Sequence, residues 1–427
     1  MASNYATPSE GVSVPGGIDI PGNVPFANDY GAVLKAQLNR IKTTPADFAD
    51  QHGLPRDYVG AVCASKAPPN APLLIAIERS SPLSVRELVD PRYAHRVPVH
   101  DDSRDGVVIC TAEESEKRFR EYERGGVDVP RVKYYTYYHT AAQRKSSIIP
   151  EKIVEHFEWD PSDPNLPDEY FNNGHRERQM TVVVGDVNYH WIDDKGKKQV
   201  IAAHTGDANA ISPFTRHSFT VPPGKEGYIL AVTDLGAIGN DDFRALAHAL
   251  EPAEYLALME KMLPAEAPAS SFDELGGFMF RKYDDAKRVQ YDDSNNWRRI
   301  LMNGITAHPS FIASEFYLPA IPLGGDLELL ADGHVWGYNH GEMILELHGK
   351  ANSPELIEPG ASFSIQKKVP HMLRGISGFG GQVLIMQSNP AEESALEQLA
   401  LIRKFRGDEG LLRAASESEL WFKEATK

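Results

Sequence analysis

The chain has 427 residues, 41% hydrophobic and 24% charged, ordinary values for a globular protein of two or three domains. Its 44 Lys and Arg against 60 Asp and Glu give a net charge of −16, which argues against a nucleic-acid-binding face but leaves room for a small anion held by a few placed cations. No apolar run approaches the ~18 residues of a membrane span, and two cysteines, Cys63 and Cys110, are too few for a disulfide framework or a thiolate metal site, so a reducing cytoplasm is the expected compartment.

Residues 1–29 read as a Pro/Gly-rich arm with neither the basic start nor the apolar centre of a secretory signal. Residues 30–104 read as a helical domain. Thr44-Pro45 is a helix start, Thr as the cap and Pro at the first helical position, and "ADFADQHGLPRDYVGAV" has the helix–Gly-turn–helix look of a DNA-binding module. From 105 to 238 the period changes to short β-rich runs, among them "VKYYTYYHTAA", "MTVVVGDVNYHWID" and "GYILAVTDL", the signature of a small antiparallel barrel or jelly roll. A second helical segment is expected over 239–307, a second strand-rich unit over 308–392, and a helical tail over 393–427. The order α-β-α-β suggests a duplicated helical-plus-barrel unit.

The chemistry gathers at "NNGHRERQ". Residues two apart on a strand share a face, so His175, Glu177 and Gln179 are expected to point together. A second histidine, His217, opens a later run, "RHSF". Two histidines and one oxygen donor make a facial triad with open positions; the bland alternative is two satisfied core histidines, and His139, His190 and His204 are rival imidazoles. Glu177 would complete a conventional carboxylate site. Gln179 would complete a neutral one, leaving the metal one unit more positive and its oxidised state harder to reach. "RVKYYTYYHTAA" places Arg131, Lys133, Tyr135 and Tyr137 on one strand face, suited either to a tetrahedral oxyanion or to an aromatic core stripe. In the second barrel His334, His340 and His371 read as structural.

"NNGH" opening a metal strand, "YYTYYHTAA" before it and the late "RHSF", within an α-β-α-β order, resemble the non-haem iron enzymes of the hydroxyethylphosphonate dioxygenase and methylphosphonate synthase family. The resemblance implies an α+β fold of tandem cupin (β jelly-roll) barrels, each preceded by a helix-turn-helix-like domain, with the second barrel non-catalytic. It implies His175, Gln179 and His217 as metal ligands and excludes Glu177. One branch of the family takes a glutamate before its second histidine; here "GDANAISPFTRH" puts Ile211 there, as part of the substrate pocket. Lys42 and Tyr137 carry over as catalytic and, with Asn172, as substrate-binding residues; the basic partner is Arg131 or Lys133. The reaction implied converts 2-hydroxyethylphosphonate and O2 to methylphosphonate and CO2 or bicarbonate, with Fe(II) as cofactor and no 2-oxoglutarate or external reductant. C–C cleavage yields formate and a phosphonomethyl radical that takes hydrogen from it. A homo-oligomer without nucleic-acid or membrane partners is expected.

Three other readings stand beside this one. They are a dioxygenase forming hydroxymethylphosphonate and formate, a helix-turn-helix cupin transcription regulator, and a metal-free structural cupin.

Overall fold

A computed structural model describes residues 12–14, 18–20, 24–41, 43–80, 83–97, 103, 105–143, 146, 148–175, 177–234, 250–263, 276–291, 296–302, 311–318, 327–329, 333–349, 354–375, 381–388 and 392–415. Within the arm, Val12–Val14 and Ile18–Ile20 form a small antiparallel hairpin, a structure not expected there. The helices Tyr30–Arg40, Pro45–Gln51, Arg56–Cys63 and Ala71–Arg79 follow. Thr44 caps the second of them by accepting from the Asp47 amide at 3.1 Å, and Gly53, at φ 64°, makes the left-handed turn into the third. Leu34, Leu38, Phe48, Val59, Val62, Leu73 and Ile77 close this unit's own core. Among the described residues, no helix is long and apolar enough to cross a membrane.

The first barrel is organised by one 15-residue strand, Arg178–Ile192, rich in β-branched and aromatic residues. Its first half pairs with Gly227–Asp234 and with Ala208–Ile211, and its second half with Lys198–His204 and His217–Thr220. The strand passes from one wall to the other at Gly185. This glycine has φ 86°, and a Cβ there would lie 2.4 Å from the Glu226 carbonyl oxygen. Phe119–Arg124, Val132–His139 and Ile148–Glu155 extend the sheet beyond Gly227–Asp234.

Among the described residues, the second barrel combines a seven-stranded and a four-stranded sheet. The two barrels trade strands. Val107–Cys110, ahead of the first barrel, pairs with Ser362–Ile365 of the second. Phe278–Arg281, expected in a helical segment, pairs with Ala208–Ile211 of the first. The helical expectation over 239–307 thus holds for Pro252–Met262 and fails for Phe278–Arg281, Arg288–Gln290 and Trp297–Met302. The polar wording of "FRKYDDAKRVQ" hid strands that lie at a sheet edge or face solvent.

Where the barrels meet, Met180, Val182, Leu230 and Val232 pack against Trp336, Tyr338, Leu384 and Met386. Their strand neighbours therefore face the other way. Val183, Ile229 and Ala231 belong to the first barrel's interior, with Tyr135, Tyr137, Ile211 and Phe219.

Candidate metal and anion site

His175 does not lie on a strand. The strand begins at Arg178, so the rule that residues two apart share a face does not extend back to His175 and Glu177. A loop shaped by "NNGH" places the imidazole instead. Gly174 sits at φ 72°, and a Cβ on it would fall 2.5 Å from the Phe214 carbonyl carbon, so no other residue fits there without displacement. Phe214 in turn donates its amide to the His175 carbonyl at 2.7 Å. Asn172 ties this loop to the other histidine. Its Oδ1 accepts from the amides of Gly174 and His217, both at 2.9 Å, and its Nδ2 donates to His217 Nε2 at 2.9 Å.

His175 and His217 meet edge to face, their ring centroids 5.2 Å apart. Both are buried, at 4% and 3% exposure. Each donates its Nδ1–H to a backbone carbonyl at 2.8 Å, His175 to Glu177 and His217 to Thr215. That fixes the tautomer, so in the neutral ring each Nε2 carries the lone pair; His217's accepts from Asn172 Nδ2 and is freed for a metal when that amide turns to another acceptor.

Gln179, the second residue of the long strand, holds its Oε1 2.9 Å from His175 Nε2. Two lone pairs facing at that distance repel unless a proton or a cation lies between them. Ligands at right angles on a metal with bonds of about 2.1 Å stand about 3 Å apart, so the spacing suits a bound cation. The Glu177 carboxylate is on the opposite side of the ring, 3.9 Å from Nδ1. Among the described residues no three His, Cys, Asp or Glu side chains converge as a metal cage; a pocket of two imidazoles and one amide falls outside that set of donors.

The rival imidazoles are elsewhere. His190 is fully buried against Thr220 Oγ1 at 3.0 Å, and burial pushes its pKa down to about 3. Burial also lowers His139 to about 4. His204 pairs with Asp186 at 2.6 Å on the surface. In the second barrel, Trp336 and Tyr338 pair as Met180 and Val182 do, which makes Val335 the counterpart of Gln179 and Ile365 that of Ile211. His371 keeps the His217 habit, its Nδ1 on the carbonyl two residues back at 2.9 Å. His334 is one position off the interior row, and His340 pairs with Glu315 at 3.2 Å.

The strand Val132–His139 divides its residues differently from the simple alternation expected. Pairing steps from Tyr122↔Tyr135 to Glu123↔Lys133, leaving Tyr134 as an extra residue. The bulge reverses the faces. Tyr135 and Tyr137 turn inward, while Arg131 and Lys133 stand in solvent, paired with Glu123 at 3.0 Å and Glu121 at 2.5 Å. Neither shares the inner face with Tyr135 and Tyr137.

The cation that shares the inner face with Tyr137 is Arg120, which the spacing of the strand did not suggest. It lies directly across from Tyr137, its guanidinium 4.5 Å from that ring's centre. Its Nη1 donates to Thr43 Oγ1 at 3.1 Å, its Nη2 lies 3.5 Å from Glu151, and its Nε makes no hydrogen bond. Arg124, on the same strand, donates to the Tyr170 carbonyl at 2.8 Å and lies against Tyr122, Tyr134 and Tyr135. Burial holds the Tyr137 hydroxyl well above its ordinary pKa, so it is a neutral donor. Ile211 is buried beside Gln179 on the paired strand. Lys42 lies outside the described residues.

A cleft of about 790 Å³ opens over Thr44, Arg124, Arg131 and Phe171. It is lined by none of the three metal-site residues, and Asp47, Glu121, Glu123, Asp128, Asp168 and Glu169 make it a poor place for a dianion.

No family model matches the chain. It is 28% identical, over 90% of its length and 93% of the other's, to a methylphosphonate synthase from Nitrosopumilus maritimus (strain SCM1). Among solved structures it is similar to the hydroxyethylphosphonate dioxygenase of Streptomyces albus with 2-hydroxyethylphosphonate and Fe(II) bound. The TM-score is 0.55 at 22% identity, covering 89% of this chain and 98% of that one. It is also similar to PhpD with cadmium, at TM-score 0.52 and 19% identity, covering 90% and 99%. At those identities the structural likeness speaks for the tandem cupin fold.

Proposed function

We infer that the chain belongs to the hydroxyethylphosphonate dioxygenase and methylphosphonate synthase family, and that it is an Fe(II)- and O2-dependent enzyme converting 2-hydroxyethylphosphonate to methylphosphonate. Atoms balance as C2H7O4P + O2 → CH5O3P + CO2 + H2O. The substrate supplies all four electrons, so no further reductant enters. The observation that carries the synthase reading is the amide. Gln179 Oε1 faces His175 Nε2 at 2.9 Å, and the neighbouring strand offers Ile211 rather than a carboxylate.

His175, Gln179 and His217 would hold the metal, which when bound supplies oxygen activation and a template for the substrate. The chain's own residues do the rest. Asn172, whose Nδ2 already reaches His217 Nε2, and Tyr137 donate to the phosphonate. Arg120 adds a charge-assisted pair through its open edge, replacing Arg131 in that role. Lys42 is kept as the further cation of the anion site, and the residue after it, Thr43, accepts from Arg120. Ile211 keeps that side of the metal apolar. The two carbon fragments stay in one buried enclosure after the bond breaks, and holding the phosphonate keeps the one-carbon fragment within reach of its partner.

The second barrel is read as non-catalytic, since Val335 stands where Gln179 would. The helix Arg56–Cys63 offers no basic row for DNA, because Arg56 is held by Asp50 and followed by Asp57. Two unpaired cysteines suit a cytoplasmic site of action, and a homo-oligomer remains part of the reading. The test is anaerobic loading with Fe(II) and 2-hydroxyethylphosphonate, then O2 and phosphorus NMR. Methylphosphonate is the expected product. Hydroxymethylphosphonate as the main product would move the chain to the dioxygenase reading. No turnover, together with a salt-dependent gel shift on its own upstream DNA, would favour the regulator.

A further inference from the structure

The two imidazoles of the site are anchored through their far nitrogens, each to a backbone carbonyl. Gln179 has a different problem. An amide has an oxygen end and a nitrogen end of nearly equal size, and only the oxygen can ligate a cation, because the NH2 lone pair is delocalised. Something must choose between the two orientations. A carboxylate, with two equivalent oxygens, needs no such choice.

The paired strands leave few groups able to make it. Gln179 is flanked by Ile211 on one side and Thr233 on the other. Ile211 offers only methyl groups. Thr233 has the same inward parity as Ile229 and Ala231, while Leu230 and Val232 turn to the opposite core. It is 6% exposed, and its hydroxyl has no hydrogen-bond partner. Residues directly opposite in an antiparallel pair have Cβ atoms about 4.5–5.5 Å apart, within reach of a glutamine amide. A buried hydroxyl without a partner is costly, and here it stands directly opposite Gln179, whose NH2 needs an acceptor.

We propose that Thr233 is a positioning residue: in the metal-loaded site its hydroxyl, unpartnered in this structure, takes up the Gln179 NH2 as an acceptor and so holds the amide oxygen toward the metal. The proposal rests on the reading of His175, Gln179 and His217 as the metal site. It assigns each of the three ligands an outer partner, two backbone carbonyls and one hydroxyl.

The measurement is Fe(II) affinity by anaerobic equilibrium dialysis on the full chain, in a double-mutant cycle. Thr233→Val, which keeps shape and loses the hydroxyl, should lower affinity roughly 10- to 100-fold, the usual effect of removing an outer partner of a metal ligand. Thr233→Ser should retain it. In a Gln179→Glu background, Thr233→Val should change affinity less than about twofold, because the carboxylate has no nitrogen end to turn away. The thermal midpoint of metal-free Thr233→Val should stay within a few degrees of the parent's, since one hydrogen bond is worth about 1 kcal/mol, so a 10- to 100-fold loss of affinity cannot be ascribed to misfolding. Parental affinity in Thr233→Val, or equal losses in both backgrounds, would overturn the proposal while leaving the metal site intact. A parent chain that fails to bind Fe(II) would overturn the reading of the site, and this inference with it.

Discussion

At the scale of single residues, the proposed anion site turns on which cation lies on the inner face of the strand. Arg120, Arg131 and Lys133 are close in sequence, and a straight strand would have favoured the last two. The bulge at Tyr134 sends them to solvent and leaves Arg120 against Tyr137. Arg120→Gln should therefore raise KM for 2-hydroxyethylphosphonate roughly 10- to 100-fold, as expected for charge-assisted hydrogen bonds worth about 1.5–3 kcal/mol. Arg131→Gln should leave KM within about twofold, because it breaks only an exposed pair with Glu123. Fe(II) affinity is the control and should be near parental in both. A large KM effect confined to Arg131→Gln would reverse the assignment.

At the scale of elements, the loop before the long strand and the C-terminal helix act together. Gly174 presses its backbone on Phe214, and Phe214 lies under the guanidinium of Arg413, 4.2 Å from its ring centre. Arg413, near the end of the Glu392–Ala415 helix with its break at Gly407, also donates to the Asn173 carbonyl at 2.8 Å. Arg406 reaches Thr215 Oγ1 at 3.4 Å. The helix thus braces the loop that carries His175 and the turn that leads into His217. Gly174→Ala should cost about 1–3 kcal/mol from backbone conformation alone, with more from the collision, and should weaken Fe(II) binding in proportion as the loop shifts. Denaturant titration and metal dialysis on the same variant check it; parental values in both would show that the loop tolerates a side chain. This is also where the sequence stops being readable. "NNGH" and "RHSF" are legible in the sequence through their resemblance to a family's motifs, although the loop that Gly174 makes reads there as a strand. Thr44-Pro45 is legible because a cap and a first-turn proline are local marks. The face reversal at Tyr134 was not, since a bulge is set by the pairing partner rather than by the strand that carries it. Nor was the pairing of Phe278–Arg281 with Ile211, or the reach of Arg413 to Asn173, both set by contacts distant in sequence.

At the scale of the whole molecule, buried titratable groups away from the candidate metal site set how stability depends on pH. Burial lowers His190 to about 3 and His334 to about 4, against about 6.5 in an unfolded chain. Their folded pKa values are depressed, so the unfolded state takes up protons first as pH falls. The stability associated with their neutral forms is complete above about pH 7 and is lost from about pH 6.5 downward. Glu155 works in the opposite sense. It is 4% exposed, neither carboxyl oxygen has a hydrogen-bond partner, and burial holds its pKa well above the usual carboxylate range. Around it face Tyr135, opposite on the neighbouring strand, and Tyr189, both neutral hydroxyls. The unfolded chain releases this proton near pH 4.3 while the folded one keeps it, so stability falls as pH rises past that point. Glu155→Gln retains the shape and removes the proton exchange. It should raise the urea midpoint at pH 7.5 and leave it nearly unchanged at pH 4, whereas His190→Gln should flatten only the loss below pH 6.5. Equal destabilisation by Glu155→Gln at both pH values would mean that the carboxyl group is held by packing, and that its protonation does not contribute to the folding equilibrium.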